Sequence, residues 1–326
     1  RPPVAPPVAG EVLGINLTRL QVEAATRLGF SVLGTQRLGA LSLRIHRLQV
    51  PAGSSEVQAV ALLNARVASG AFDLNHTYRP SQAAAPCDGP ACAQLRAIGW
   101  PAEPVNRCAL SARIGMIDTA VDAQLAGVAA NSLTSRVIGG ALQASDPAHG
   151  SAVAALLAGS RHEEPGLLPQ SRLYAADVFV PAAPTAAALA PAHRVAEALD
   201  WLVTQRVQVI NISLAGPANR LLEQAVARTL AHRVPLVVAA GNEGPRAPPA
   251  YPASYPGVIA VTAVDERLQV YRRANRGEHI LLAAPGVAVH VPTRGGGGLR
   301  TGTSFAAPFV TAVVARWRAS GLLQPR

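Results

Sequence analysis

HRVAEALDWLVTQRVQVINIS, residues 193–213, carries two periods back to back. Its first part sets apolar side chains at helical spacing, and VQVINIS then runs apolar for the length of a buried strand. The same alternation extends both ways. Apolar runs occur at ARIGMI (112–117), RVIG (136–139), RLYAADVFV (172–180), VPLVVAA (234–240), GVIAVTAV (257–264) and HILLAA (279–284). Helical patterns such as SAVAALLAG (151–159) and ANRLLEQAVARTLAH (218–232) lie between them. Strands that read as continuous apolar runs, each followed by a helix, imply a parallel sheet covered on both faces. The expected fold class is therefore α/β.

Ahead of this region the pattern differs. EVLGINL, LQVEAATRLG, FSVLGTQRL, LSLRIHRLQV, EVQAVALLNARV and AFDLNHTYR, between residues 11 and 79, read as strand, helix, strand, strand, helix, strand. That is a split βαβ order, expected to give a small ferredoxin-like α+β domain over 11–80, with Ser54 or Ser55 capping its second helix. Residues 1–10, RPPVAPPVAG, read as a proline-rich tether, and 81–106, rich in Ala, Pro, Gly and Cys, as a linker. The larger domain is expected over 107–326. The glycine run Gly295–Gly298 is not followed by a helix and reads as a loop, not a phosphate cradle.

Composition narrows the function classes. The formal charge is +10 and every basic residue is arginine, but the arginines are scattered and not interleaved with aromatics, which argues against nucleic-acid binding. The longest apolar stretch, Val178–Ala192, is broken by Pro181, Pro184 and Pro191, so no membrane span is expected. Cys87, Cys92 and Cys108 lack a metal-ligand spacing with histidine. One disulfide with one free thiol, with the pairing open, or three thiols are the remaining readings. No metal site is expected.

Several polar residues stand where strands end or helices begin. Asp118 follows RIGMI, His149 and Gly150 open a helical run, Asn242 ends VPLVVAAGNEG, and Ser304 lies in GTSFAAPFVTAVVARW, where a glycine turn enters an apolar helix. Taken singly they read as turn, cap or surface residues. Taken together they supply an orienting carboxylate, a base, an amide donor and a hydroxyl nucleophile at a helix N-terminus, the parts that acyl transfer needs. In an open α/β sheet, such parts meet at the carboxyl ends of the strands.

IDTAVD (117–122), HGSAVAALLAG (149–159), VINISLAGP (209–217), VVAAGNEG (237–244), YPASYPGVIAVTAVD (251–265), APGVAV (284–289) and GTSFAAPFV (302–310) resemble the successive signature blocks of the subtilase family, in that family's order. The resemblance implies a subtilisin-like serine endopeptidase with Asp118, His149 and Ser304 as triad and Asn242 in the oxyanion hole. By the same matching, Ser213, Leu214, Ala215 and Gly216 resemble one wall of the substrate cleft, and Ala239, Ala240 and Gly241 the opposite wall. Calcium is possible in the family, but no ligands can be matched here, and no other cofactor is implied. The N-terminal domain resembles the family's propeptide, an intramolecular chaperone and inhibitor, with AFDLNHTYRPSQ as the tail entering the cleft. The implied partner is a protein or peptide substrate, and the implied location is secreted or periplasmic. A catalytically silent or narrowly regulatory scaffold protein is the alternative.

The chain also departs from the family's pattern. Ser151 stands in place of threonine, Phe305 in place of methionine, YRRANRG (271–277) in place of a Ser-Phe-Ser segment, and the stretch from Pro181 to Pro191 in place of a glycine-rich substrate-pairing strand.

Overall fold

The structure, a computed structural model, describes residues 6–80, 111–140, 143–160, 166–180, 188–293 and 296–319. The three cysteines and the segment read as a linker lie outside the described residues.

The N-terminal unit is built from β1 (Glu11–Ile15), α1 (Arg19–Arg27), β2 (Ser31–Leu38), β3 (Leu43–Gln49), α2 (Glu56–Arg66) and β4 (Ala71–Leu74). Its four strands form an antiparallel sheet in the order β2-β3-β1-β4. Both helices begin with a capping box. Thr18 and Ser55 accept from the backbone N–H of Gln21 and Gln58, whose side chains return to the cap. The strand pattern AFDLNHTYR does not remain one strand. It breaks at Asn75–His76, and β5 (Thr77–Pro80) leaves the sheet to join the larger body.

That body holds β6 (Arg113–Asp118), α3 (Ala123–Ala126), β7 (Leu133–Val137), α4 (Ala148–Ala158), β8 (Arg172–Asp177), β9 (Ala190–Pro191), α5 (Ala192–Thr204), β10 (Val209–Ile212) and β11 (Leu214–Ala215). It continues through α6 (Arg220–Ala231), β12 (Leu236–Ala239), β13 (Ile259–Val264), β14 (Ile280–Pro285), β15 (Val289–Thr293), β16 (Gly296–Arg300) and α7 (Thr303–Ala319). Seven strands make a parallel sheet in the order β14-β13-β12-β10-β6-β8-β7. From β6 the chain goes first to one edge and then crosses to β10, so the topological switch lies between β6 and β10. The glycine run read as a loop is in part a strand. Gly296, Gly297 and Gly298 pair with β15, since a hairpin ladder needs only backbone groups.

Side chains alternate across the sheet. Ile117, Ile210, Ile212, Leu236 and Val238 face α5 and α6, while Ile114, Met116, Val209, Val237 and Val261 face α4 and α7. The N-terminal sheet buries Val12, Leu48 and Phe72 against α1 and α2. Its other face presents Leu13, Ile15, Leu43 and Ile45, which join the core containing Val195, Leu199 and Leu222. Polar contacts register the two units: Leu41 N–H donates to Asp200 (3.0 Å), His232 Nε2 to the Ala40 carbonyl (2.7 Å), and Arg220 N–H to Asp73 (2.6 Å).

A crossed pair completes this contact. Asn75 Nδ2 donates to His193 Nδ1 (2.9 Å) and Asn219 Nδ2 to His76 Nδ1 (3.0 Å). Neither amide can turn round. Asn75 Nδ2 also serves Glu11 Oε1 (2.8 Å), and Asn219 Nδ2 serves the Leu74 carbonyl (2.8 Å) while its Oδ1 caps α6 at Leu222 N–H (3.1 Å). Both imidazoles must therefore be neutral, because a protonated Nδ1 would face a donor. Burial pushes both pKa values down, that of His193 to about 3 with Arg47 and Arg194 adding to the effect. A depressed imidazole contributes stability fully present above its unfolded value near ~6.5 and lost as pH falls toward the folded one. For His193 the loss between neutral pH and pH 5 is about 2 kcal/mol. Thermal melts should fall steeply between pH 7.5 and 5. His193→Gln, which keeps an acceptor but cannot titrate, should flatten that slope, and an unchanged slope would count against the pairing.

Candidate active site

Asp118 ends β6 on the face shared with Ile114 and Met116, the side covered by α4 and α7. It is fully buried, and Oδ1 accepts from Thr119 N–H (2.7 Å) and lies 2.6 Å from His149 Nδ1. The pairing assigns the proton to Nδ1 and leaves Nε2 as the free lone pair. His149 stands in the first turn of α4, itself buried, and its Nε2 has no partner.

Close approach is what brings helix and strand end together. A Cβ on Gly150 would run into the carbonyl oxygens of Thr119 and Ala120, while Gly150 N–H donates to Thr119 Oγ1 (2.8 Å). Ser151 Oγ accepts from Asp122 N–H (2.9 Å), so the serine found in place of threonine still pins the turn after Asp118.

Ser304 is the second residue of α7 and is buried. Its neighbour Phe305 sets its ring 5.4 Å from the His149 ring, which brings the start of α7 beside α4. Behind Ser304 runs a buried polar chain: Thr311 Oγ1 donates to Asn211 Oδ1 (3.0 Å), Asn211 Nδ2 to Ser213 Oγ (2.9 Å), and Ser213 Oγ to the Ser304 carbonyl (3.4 Å). Asn242, in the turn after β12, accepts through Oδ1 from Thr303 N–H (3.1 Å) and Oγ1 (3.3 Å). That fixes which end of the amide is which, and Nδ2 is buried without a partner.

Ser213, Leu214, Ala215 and Gly216 follow β10 out of the sheet; Leu214 and Ala215 form β11, and Gly216 exchanges both backbone hydrogen bonds with Tyr251 (2.9 Å each). Ala239, Ala240 and Gly241 end β12 and turn back: Ala240 N–H donates to Val261, and Gly241 N–H to Thr303 Oγ1 (3.1 Å), at a φ of 103° suited to glycine. The two segments leave neighbouring strands at the carboxyl edge of the sheet.

Several supporting residues were missed from the sequence. Asn275, within YRRANRG, accepts from Glu243 N–H (2.9 Å) and donates its own N–H to the Gly241 carbonyl (3.1 Å), so that segment braces the Asn242 turn. Thr303, Asn211 and Thr311 hold Asn242 and Ser304 in the same way. A single polar residue inside an apolar strand, as Asn211 is in VQVINIS, was the one available signal. No cluster of three or more His, Cys, Asp or Glu able to hold a metal occurs among the described residues, and no helix among them is long and apolar enough to cross a membrane.

The strand β11 is already paired. β5 runs antiparallel between β11 and β9, with Arg79 opposite Ala215, Pro80 opposite Leu214, and Tyr78 opposite Ala190. The stretch from Pro181 to Pro191, where described, thus ends in a pairing strand after all. Tyr78 is fully buried with its ring against Gly216, and its hydroxyl donates to the Pro217 carbonyl (3.1 Å).

A buried carboxylate–imidazole pair, a serine at a helix start and an oriented amide at the switch point of a parallel sheet define a protein of the subtilisin-like α/β class. The chain belongs to the subtilase family, whose model matches residues 56–322. It is 31% identical to subtilisin DY of Bacillus licheniformis over 218 residues, 62% of this chain and 75% of that protein. It is 33% identical to a probable subtilase-type serine protease of Deinococcus radiodurans over 189 residues, 51% of this chain but only 25% of the relative. A 28% match over 148 residues, 44% of this chain and 22% of the relative, is to Epr of Bacillus subtilis, named a minor extracellular protease. The chain therefore spans about a quarter of those last two relatives. Among solved structures, fervidolysin of Fervidobacterium pennivorans superposes with a TM-score of 0.76 at 21% identity, over 97% of this chain and 55% of that one, a likeness of fold. The protease domain of PatA superposes at 0.57 with 28% identity, over 65% of this chain and 82% of that one.

Replacing a helical glycine by alanine ordinarily stabilises by about 1 kcal/mol. Gly150→Ala should do the reverse, lowering the melting temperature and separating His149 from Asp118. A variant melting at or above wild type would show that α4 does not need this close approach.

Proposed function

We propose that the chain is a serine endopeptidase working through an acyl-enzyme and held in check by its own N-terminal unit. In this reading Asp118 keeps His149 in the tautomer with Nε2 free. Nε2 takes the Ser304 hydroxyl proton as Oγ attacks the scissile carbonyl, and the tetrahedral oxyanion is met by Ser304 N–H and Asn242 Nδ2. His149 then protonates the leaving amine, and water hydrolyses the ester by the same route. The unpartnered Nε2 and Nδ2, two buried polar atoms held in fixed directions, support these roles, because such atoms are costly unless a reacting group completes them.

The observation that carries the reading is β5. A segment of the chain lies as an added strand along Leu214–Ala215, as a peptide substrate would on an exposed sheet edge. Ser213–Gly216 form that wall, with Ala239, Ala240 and Gly241 opposite. Among the described residues the pairing reaches Pro80 opposite Leu214, and the next residue of that wall is Ser213, whose hydroxyl bonds the Ser304 carbonyl. Self-cleavage accordingly falls just beyond Pro80, freeing residues 11–80 as an inhibitor and folding aid from the part of the chain that carries the peptidase domain, 107–326. The extracellular naming of Epr supports export of this protein to a secreted or periplasmic location.

The test compares wild type with Ser304→Ala by intact mass, by labelling with a serine-directed fluorophosphonate, and by digestion of a general protein substrate. Wild type should split just C-terminal to Pro80, take one label and digest the substrate, while Ser304→Ala stays whole and unlabelled. Digestion by the alanine variant would overturn the assignment, and an inert, unlabelled wild type would favour a silent scaffold. Asn242→Ala should lower kcat by about 10²–10³ with little change in KM. Tyr78→Ala, which empties a buried ring site worth about 3 kcal/mol, should weaken inhibition by the separate N-terminal unit roughly a hundredfold.

A further inference from the structure

Asp177 is a second buried carboxylate behind the site, with no part in the scheme above. It ends β8 as Asp118 ends β6, and the two residues are register partners in a parallel pair, so their side chains leave the same face of the sheet at the same level. Asp177 Oδ2 accepts from Ser145 N–H (2.8 Å), and Oδ1 accepts from Ser145 Oγ–H (2.8 Å) and Phe179 N–H (3.1 Å). Ser145 Oγ in turn accepts from Ala120 N–H (3.0 Å). Ala120 lies two residues after Asp118, and Ser145 four before His149. One carboxylate thus ties together the two segments that carry the acid and the base.

We infer that Asp177 is a positioning residue of the triad, holding Asp118 and His149 in register through Ser145 and placing a second negative charge behind the imidazole. The inference rests on the reading of His149 as the base.

Burial pushes the Asp177 carboxyl above the usual carboxylate range, with the Asp118 charge adding to this, while the three donors from Ser145 and Phe179 hold the rise down. On α5, burial pushes the Arg194 guanidinium down, and the charges of Asp177 and Glu197 push it back up. Arg136 on β7 is directed elsewhere, pairing with Glu197 at 3.7 Å and lying over the Trp201 ring at 5.9 Å. When His149 takes the Ser304 proton, its new positive charge pairs directly with Asp118, and Asp177, register partner of Asp118 on the next strand, adds a second negative charge at longer range.

Asp177→Asn and Ser145→Ala separate the two parts of this role. The first removes the charge and sets an amide N–H against Ser145 N–H. The second keeps the charge and cuts the link to Ala120. With processed enzyme and a peptide substrate, Asp177→Asn should lower kcat about tenfold or more with KM within about twofold. It should also move the acid limb of the kcat/KM profile to lower pH by about half a unit or more, since the protonated imidazole loses a favourable neighbour. Ser145→Ala should lower kcat with KM unchanged and leave the limb where it is. A merely structural role would lower the melting temperature of both variants without moving the limb. The inference is overturned if the limb of Asp177→Asn coincides with that of wild type, if the loss falls on KM, or if Ser145→Ala turns over like wild type. Should Asp177→Asn not fold, the kcat and KM of Ser145→Ala decide. Fluorophosphonate labelling keeps the two readings apart: labelled, active wild type beside an unshifted Asp177→Asn sinks this inference alone, whereas inert, unlabelled wild type sinks the catalytic reading with it.

Discussion

A carboxylate withdrawn completely from water costs several kcal/mol unless donors replace its hydration, and Asp118 is such a carboxylate. Its Oδ1 is served by Thr119 N–H and by the His149 imidazole, and Oδ2 has no partner. Much of the surrounding structure follows from bringing an imidazole to that spot. The first turn of α4 must reach the end of β6, so position 150 carries no side chain. The turn between them is held by Ser151 on Asp122, Thr119 on Gly150, and Ser145 on Ala120. Each of these bonds satisfies a backbone group that the close approach would otherwise strand.

The other half of the site is built on a similar economy of buried polar atoms. Asn211 lies in the middle of the sheet, where an unpaired amide is expensive, and it links Thr311 of α7 to Ser213 and so to the carbonyl of Ser304. Thr303 does the same for Asn242 and Gly241. Helix α7 is thereby fastened at both Ser304 and Asn242, and its Phe305 ring lies 5.4 Å from the His149 ring. Rigidity of this kind lets side chains on separate strands and helices act on one atom of a substrate.

The N-terminal unit uses the same sheet edge from outside. Its apolar face extends the core over α5 and α6, and β5 then inserts between β9 and β11. Contact is made through backbone pairing, one buried tyrosine, and two amide–imidazole pairs that require neutral histidines. None of these is a strong bond alone. An interface assembled from them can be firm at neutral pH and still be undone by cutting the strand or protonating the rings.

The sequence by itself determined the layers and their order. Apolar runs alternating with helical patterns specify a parallel sheet with both faces covered, and the split βαβ order of residues 11–79 specifies the small antiparallel sheet, because hydrophobic period and chain order suffice for both. Asp118, His149, Asn242 and Ser304 were legible from their places at strand ends and helix starts, read with the resemblance of the blocks around them. Tertiary structure decided the rest. The break of AFDLNHTYR at Asn75–His76 depends on β11 and β9 offering an edge more than a hundred residues away, and no local propensity records that. YRRANRG as a brace and the bonding of Ser145 to Asp177 are invisible for the same reason. They are hydrogen bonds between residues distant in the chain, and their worth comes from burial, which exists only once the layers have closed.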